Sequence, residues 1–219
     1  MKKQASTAMW TAAALAASLL LGACGGDGDS DDKIDGAKDG SKAAAKSPSP
    51  SKSSDTGERK APDEIKLAKD AKNVFEDTET GDPKKDEVLA DNQARINTID
   101  RVITTRKDVD LLKVYAKGQS LHAADKYILD FTKDKQSWAG ETRYYDHEVK
   151  LFGDDRARIT FCADESKSQN KYLKTGKLEP NNGGDQNFVF YTTNVQRNKE
   201  GVWQAVSGTG ERGSKKCME

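Results

Sequence analysis

The apolar residues of this chain change period near Gly140, and that change limits what it can fold into. Before it they recur at three- and four-residue steps: Val88 and Leu89, then Asn92, Ile96, Ile99 and Ile103. Such spacing lays an apolar stripe along one side of an α-helix. Pro83 with the acidic pair Asp86 and Glu87 marks where that helix opens, and it is expected to end near Thr105. Asp91, Arg95, Asp100 and Arg101 fill its other faces. Val109, Leu112 and Tyr115 mark a second, shorter helix stopped near Gly118. Leu121, Ala124, Ile128, Leu129 and Phe131 mark a third, ending before Gly140.

After Gly140 the period is two. Tyr145, His147, Val149 and Leu151 alternate with Tyr144, Asp146, Glu148 and Lys150, as on a strand with two unlike faces. Gly153-Asp154-Asp155 turns the chain. Ala157, Ile159, Phe161 and Ala163 then alternate with Arg156, Arg158, Thr160 and Cys162 in a second strand. A polar excursion over 164–186 leads to a third strand over 187–197, carrying Phe188, Val189, Phe190, Tyr191 and Val195. A hairpin turn at Asn198-Lys199-Glu200-Gly201 opens a fourth strand at Val202, which fades through Gly208 and Gly210 towards Cys217. Helices first and antiparallel strands after them predict an α+β domain over 84–219, three N-terminal helices packed on a curved sheet of about four strands.

The chain is 219 residues long, with 33% charged residues, 34% hydrophobic residues and no formal net charge. That apolar share is low for a globular protein, and the deficit is local. Between Gly25 and Pro62 the only large apolar residue is Ile34, among Asp, Lys, Ser, Gly and Ala. A segment of this kind buries too little surface to offset the entropy of ordering it. Residues 24–62 therefore read as a disordered tether, spanning on the order of 35 Å r.m.s.. Leu67, Val74 and Phe75 restore apolar content over 63–83, a partly ordered arm lying extended or as a short helix on the domain. Balanced charge offers no basic stripe for nucleic acid.

The amino terminus carries an address. Lys2 and Lys3 precede an apolar tract from Ala5 to Leu21, and small residues follow, the layout of a signal peptide over 1–23. Leu21-Gly22-Ala23-Cys24 resembles a bacterial lipobox, whose cysteine receives a diacylglyceryl group. Two or more acyl chains hold a protein stably on a membrane where one does not. The expected location is the extracytoplasmic face of the cell membrane, anchored through lipidated Cys24. An uncleaved apolar anchor and a cleaved signal with an incidental cysteine are the alternatives. Cys162 and Cys217 then remain, an even number in an oxidising compartment, and are expected to form a disulfide. Closing a loop of that length is worth up to about 4 kcal/mol in the chain-entropy picture. Two free thiols are the alternative; without a Cys-x-x-Cys, a redox pair is disfavoured.

Motifs for chemistry are scarce. The two histidines are His122, on a helix, and His147, in phase with Tyr145 and Val149. No His-Glu-x-x-His, Cys-x-x-Cys or repeated Asp/Asn loop offers metal ligands, and no phosphate loop or dinucleotide fingerprint offers a cofactor site. Asp146 adjoins His147, but neighbours on a strand point to opposite faces. No Gly-x-Ser-x-Gly motif is present.

Three helices, a strand meander and the late Gly201-Val202-Trp203 element with Val206 resemble the cone-shaped fold of nuclear transport factor 2 (NTF2) and ketosteroid isomerase. More narrowly, the stretch from Val74 to Cys217 resembles an actinobacterial lipoprotein family of unassigned function. The residues carrying that resemblance are Asn73-Val74-Phe75-Glu76-Asp77, Thr80-Gly81-Asp82-Pro83, Arg143-Tyr144-Tyr145-Asp146, Cys162-Ala163-Asp164-Glu165-Ser166-Lys167 and Gly201-Val202-Trp203. The resemblance implies a pocket between sheet and helices, with Tyr115, Tyr127, Trp138, Tyr145, His147, Tyr191 and Trp203 available to line it. Catalytic cone proteins set an acid and a tyrosine in that pocket, and the alternation here places no carboxylate facing inward. The expected function is a non-catalytic module binding a small ligand or an envelope protein. The alternative is a small isomerase or hydrolase acting on an apolar substrate, and an open cavity with polar side chains reaching it would separate these readings.

Overall fold

Asp82 starts the long helix. Its carboxylate accepts hydrogen bonds from the backbone N–H groups of Lys84 (2.9 Å) and Lys85 (3.3 Å), and Pro83 follows where a missing N–H costs nothing. Helix α1 (Pro83–Thr105) ends at Arg106, which adopts the left-handed conformation (φ 61°) and returns its N–H to the Val102 carbonyl. A single 3₁₀ turn (Val109–Leu111), helix α2 (Leu112–Tyr115) and helix α3 (Gly118–Lys133) follow. The described residues of this computed structural model are 65–218. The signal segment 1–23, Cys24 and the whole of the tether expected over 24–62 lie outside them. Among the described residues no helix is long and apolar enough to cross a membrane.

One sheet of five strands faces these helices, in the order β1-β2-β3-β4-β5: Ala71–Phe75, Gln136–Leu151, Arg156–Tyr172, Phe188–Arg197 and Trp203–Arg212. The mixed α+β class is as expected, with two differences. The segment expected to be an arm is strand β1, so the helices are preceded by a strand, and the sheet has five strands rather than about four. β1 pairs in parallel with β2, Ala71 opposite Gly140 and Phe75 opposite Tyr144. Its partner lies far along the chain, which a local pattern of five residues does not announce.

β2 and β3 form a long antiparallel hairpin that also begins earlier and ends later than its apolar pattern. Gln136 to Glu141 pair with Tyr172 to Lys167, and because this end of β3 is polar with no buried residue it reads as loop. Gly140 (φ 103°) sits at the junction of three strands, where a Cβ would stand 2.1 Å from the Lys167 carbonyl oxygen. Only glycine fits there.

Packing divides into three groups. Val88, Leu89 and Ile96 of α1 meet Tyr144, Val149, Ile159, Phe161, Val195 and Trp203 of the sheet. Val102 and Ile103 pack with Leu112, Ala124, Ile128 and Trp138. On the opposite face of the sheet Tyr145, Cys162 and Cys217 pack with Phe188 and Phe190. There the Cys162 and Cys217 sulfurs are bonded at 2.01 Å, tying the tail to β3 across 55 residues.

Candidate ligand-binding cavity

Between α1, α3 and the sheet lies a cavity of about 280 Å³. Ile96 and Ile99 of α1, Ala123 and Ala124 of α3, and Tyr144 and Phe161 of the sheet give it apolar walls. Thr193, Gly208, Thr209 and Gly210 close its floor. A second cavity of about 300 Å³ adjoins it under the outer ends of β2 and β3, lined by Trp138, Phe131 and the amides of Gln169, Asn170, Asn181 and Asn182. Asp100, Tyr127, Tyr144 and Glu165 line both.

Asp100 is 7% exposed, on the inner side of α1. Its two oxygens accept from Asn73 Nδ2 (2.7 Å) and Trp138 Nε1 (3.3 Å). Burial pushes its carboxyl up to about 7, against these two hydrogen bonds, which favour the charged form. Arg95 enters the first cavity one turn earlier. Its Nε and Nη2 donate to Asn92 Oδ1 at 3.2 and 3.0 Å, and burial lowers its pKa. Glu165 pairs with Arg212 through two bonds, 2.6 and 3.2 Å. Burial lifts the Tyr191 phenol to about 12 and Tyr144 well above its ordinary value.

Of the seven aromatic and histidine positions singled out in the sequence, Tyr127 and Tyr191 line the first cavity, and Tyr127 and Trp138 the second. Tyr115, Tyr145, His147 and Trp203 line neither. Trp203 is core, 1% exposed, with its backbone N–H donating to Asp91 at 2.8 Å. Tyr115 is buried on α2. Tyr145 is on the far side of the sheet, where its hydroxyl donates to the Cys217 carbonyl. A β-bulge between Tyr145 and Glu148, with Asp146 at φ 53°, breaks the alternation there. The bulge places Tyr144 and His147 on the helix side and Tyr145 on the other. His147 stacks on Phe161 at 5.5 Å, neither buried ring nitrogen makes a hydrogen bond of ordinary geometry among the described residues, and burial lowers its pKa.

Asp91, Arg95 and Asp100 were expected on the outer faces of α1, yet Asp91 and Asp100 are buried and Arg95 lines the cavity. The signal for Asp100 was its place on the stripe, four residues after Ile96 and three before Ile103. Arg95 likewise follows Asn92 by three and precedes Ile99 by four. Among the described residues no three His, Cys, Asp or Glu side chains are grouped to hold a metal ion.

No family model matches the chain, and no curated protein matches it. Several solved structures are similar in chain path. A ketosteroid isomerase-like protein from Erwinia carotovora atroseptica has a TM-score of 0.40 at 12% identity, covering 57% of this chain and 92% of that one. A putative aromatic ring hydroxylase from Novosphingobium aromaticivorans has 0.40 at 14%, covering 60% and 91%. The intermembrane space region of the chloroplast protein ARC6 has 0.39 at 9%, covering 55% and 94%. At these values they are likenesses only, and no function is transferred from them.

Proposed function

We propose that this chain is an extracytoplasmic lipoprotein whose NTF2-like cone domain binds a small molecule between α1, α3 and the sheet. One observation supports the binding reading above the others: the space between helices and sheet is an open cavity of about 280 Å³ with apolar walls and convergent polar groups. Lipidated Cys24 and the tether would keep that cavity close to the membrane surface. A module recognising an envelope protein through its outer surface would have no need of such a cavity. Ala123, exposed at the cavity wall on α3, gives the test. Ala123→Phe is expected to weaken binding of a neutral apolar probe, 1-naphthalenemethanol, by about tenfold while leaving the urea midpoint unchanged. Equal titration curves for the two proteins would refute the assignment.

A second reading, a proton-transfer enzyme, draws support from Asp100, whose carboxyl titrates near 7 beside Tyr127 and Tyr144. Exchange of the α-protons of a small ketone into heavy water, lost in Asp100→Asn, would favour it over binding alone.

A further inference from the structure

Arg95 holds a positive charge in the cavity and has no ion-pair partner among the described residues. A guanidinium has five N–H donors. Two are used on the neutral amide of Asn92, which leaves three with no partner among the described residues. The other charges at the cavity are accounted for. Glu165 is clamped by Arg212 in a two-bond pair. Both Asp100 oxygens already accept hydrogen bonds, from Asn73 and Trp138, and burial raises its carboxyl to about 7. Tyr144 and Tyr191 lie within electrostatic reach of the guanidinium, and neither hydroxyl has a hydrogen-bond partner among the described residues.

A partly buried guanidinium without an anion is costly, and its planar fork matches a carboxylate better than any neutral group. One free cation, with two carboxyls nearby, suits a single negative charge; a phosphate dianion would call for more. The surrounding walls are apolar. Resting on the cavity-binding reading above, we propose that the ligand is an apolar monocarboxylic acid. Arg95 holds its carboxylate beside the Tyr191 hydroxyl, and its body lies against Ile96, Ile99 and Phe161.

The test compares 1-naphthoate with its neutral counterpart 1-naphthalenemethanol, titrated calorimetrically into the full-length chain near neutral pH. The wild-type protein is expected to bind the acid about tenfold more tightly than the alcohol. Arg95→Met is expected to abolish that preference, read as the ratio of the two affinities, and Arg95→Lys to retain part of it. Equal binding of both probes to wild type, or an acid preference that survives in Arg95→Met, would overturn the anion assignment and leave the cavity reading standing. Binding of neither probe to wild type would overturn both. The wild-type comparison decides the matter even if Arg95→Met fails to fold.

Discussion

Asp100 makes the stability of this domain depend on pH in the direction opposite to most carboxylates. Its carboxyl rises from 3.8 to about 7 on folding, so the folded state holds a proton that the unfolded state has released. Stability is therefore fullest below about pH 4 as far as this group is concerned, and it is lost as pH rises towards 7. The shift corresponds to at most about 4 kcal/mol. Asp70, paired with Lys171 at 2.6 Å, has its carboxyl lowered and works the other way, losing its contribution on acidification. Asp100→Asn isolates the first effect. The new NH2 group faces a donor, either Asn73 Nδ2 or Trp138 Nε1, which adds a cost that does not vary with pH. The variant is expected to gain on wild type by about 2 kcal/mol between pH 4 and pH 8, measured as the difference in urea unfolding. A difference that stays constant over that range would show that the carboxyl is ionised throughout. Charge assigns Asp100 and Arg95 to the outer faces of α1, towards solvent, although their spacing also fits the inner stripe. What buries Asp100 is a pair of donors 27 and 38 residues away in sequence, outside any helical period.

At the scale of elements, the apolar periods identified α1 from Pro83 to Thr105 and the inward side of β3. They failed where the backbone departs from regular geometry. The bulge at Asp146 shifts the phase of β2, so Tyr145, expected on the same face as His147, lies on the opposite one, and Tyr144 takes the helix side instead. β1 failed for another reason: it is a short edge strand whose stability comes from β2, not from its own residues. Gly140 is the position that joins these strands. Gly140→Ala puts a methyl 2.1 Å from the Lys167 carbonyl oxygen at a φ of 103° and is expected to cost roughly 3 kcal/mol or more. Gly153→Ala, in the β2–β3 turn with nothing within 4 Å, is the control and should cost about 1 kcal/mol. Equal urea midpoints for the two variants would contradict this account of the junction.

For the whole molecule, length and composition predicted one folded domain behind a long polar segment, and the described residues form an α+β domain from 65 to 218. The cavity was legible only as an expectation of the cone shape, since its charged lining comes from residues that look solvent-facing. If Cys24 carries lipid as proposed, Cys24→Ser should move the protein from the membrane fraction to the soluble fraction or leave an unprocessed precursor. Unchanged partition and unchanged intact mass would refute the anchor.

The bond between Cys162 and Cys217 has a further consequence for the chain as a polymer. It brackets β4, β5 and the loop bearing Asn181 and Asn182, so a single backbone cut anywhere in that interval yields two pieces that are still one molecule. A protease nick in the exposed stretch around Lys174 to Lys177 would leave Tyr191 and Thr193 seated in the sheet beside Phe161 and Ile159. After such a cut the disulfide would still hold the wall of the cavity to the rest of the chain, and two fragments would separate only after reduction.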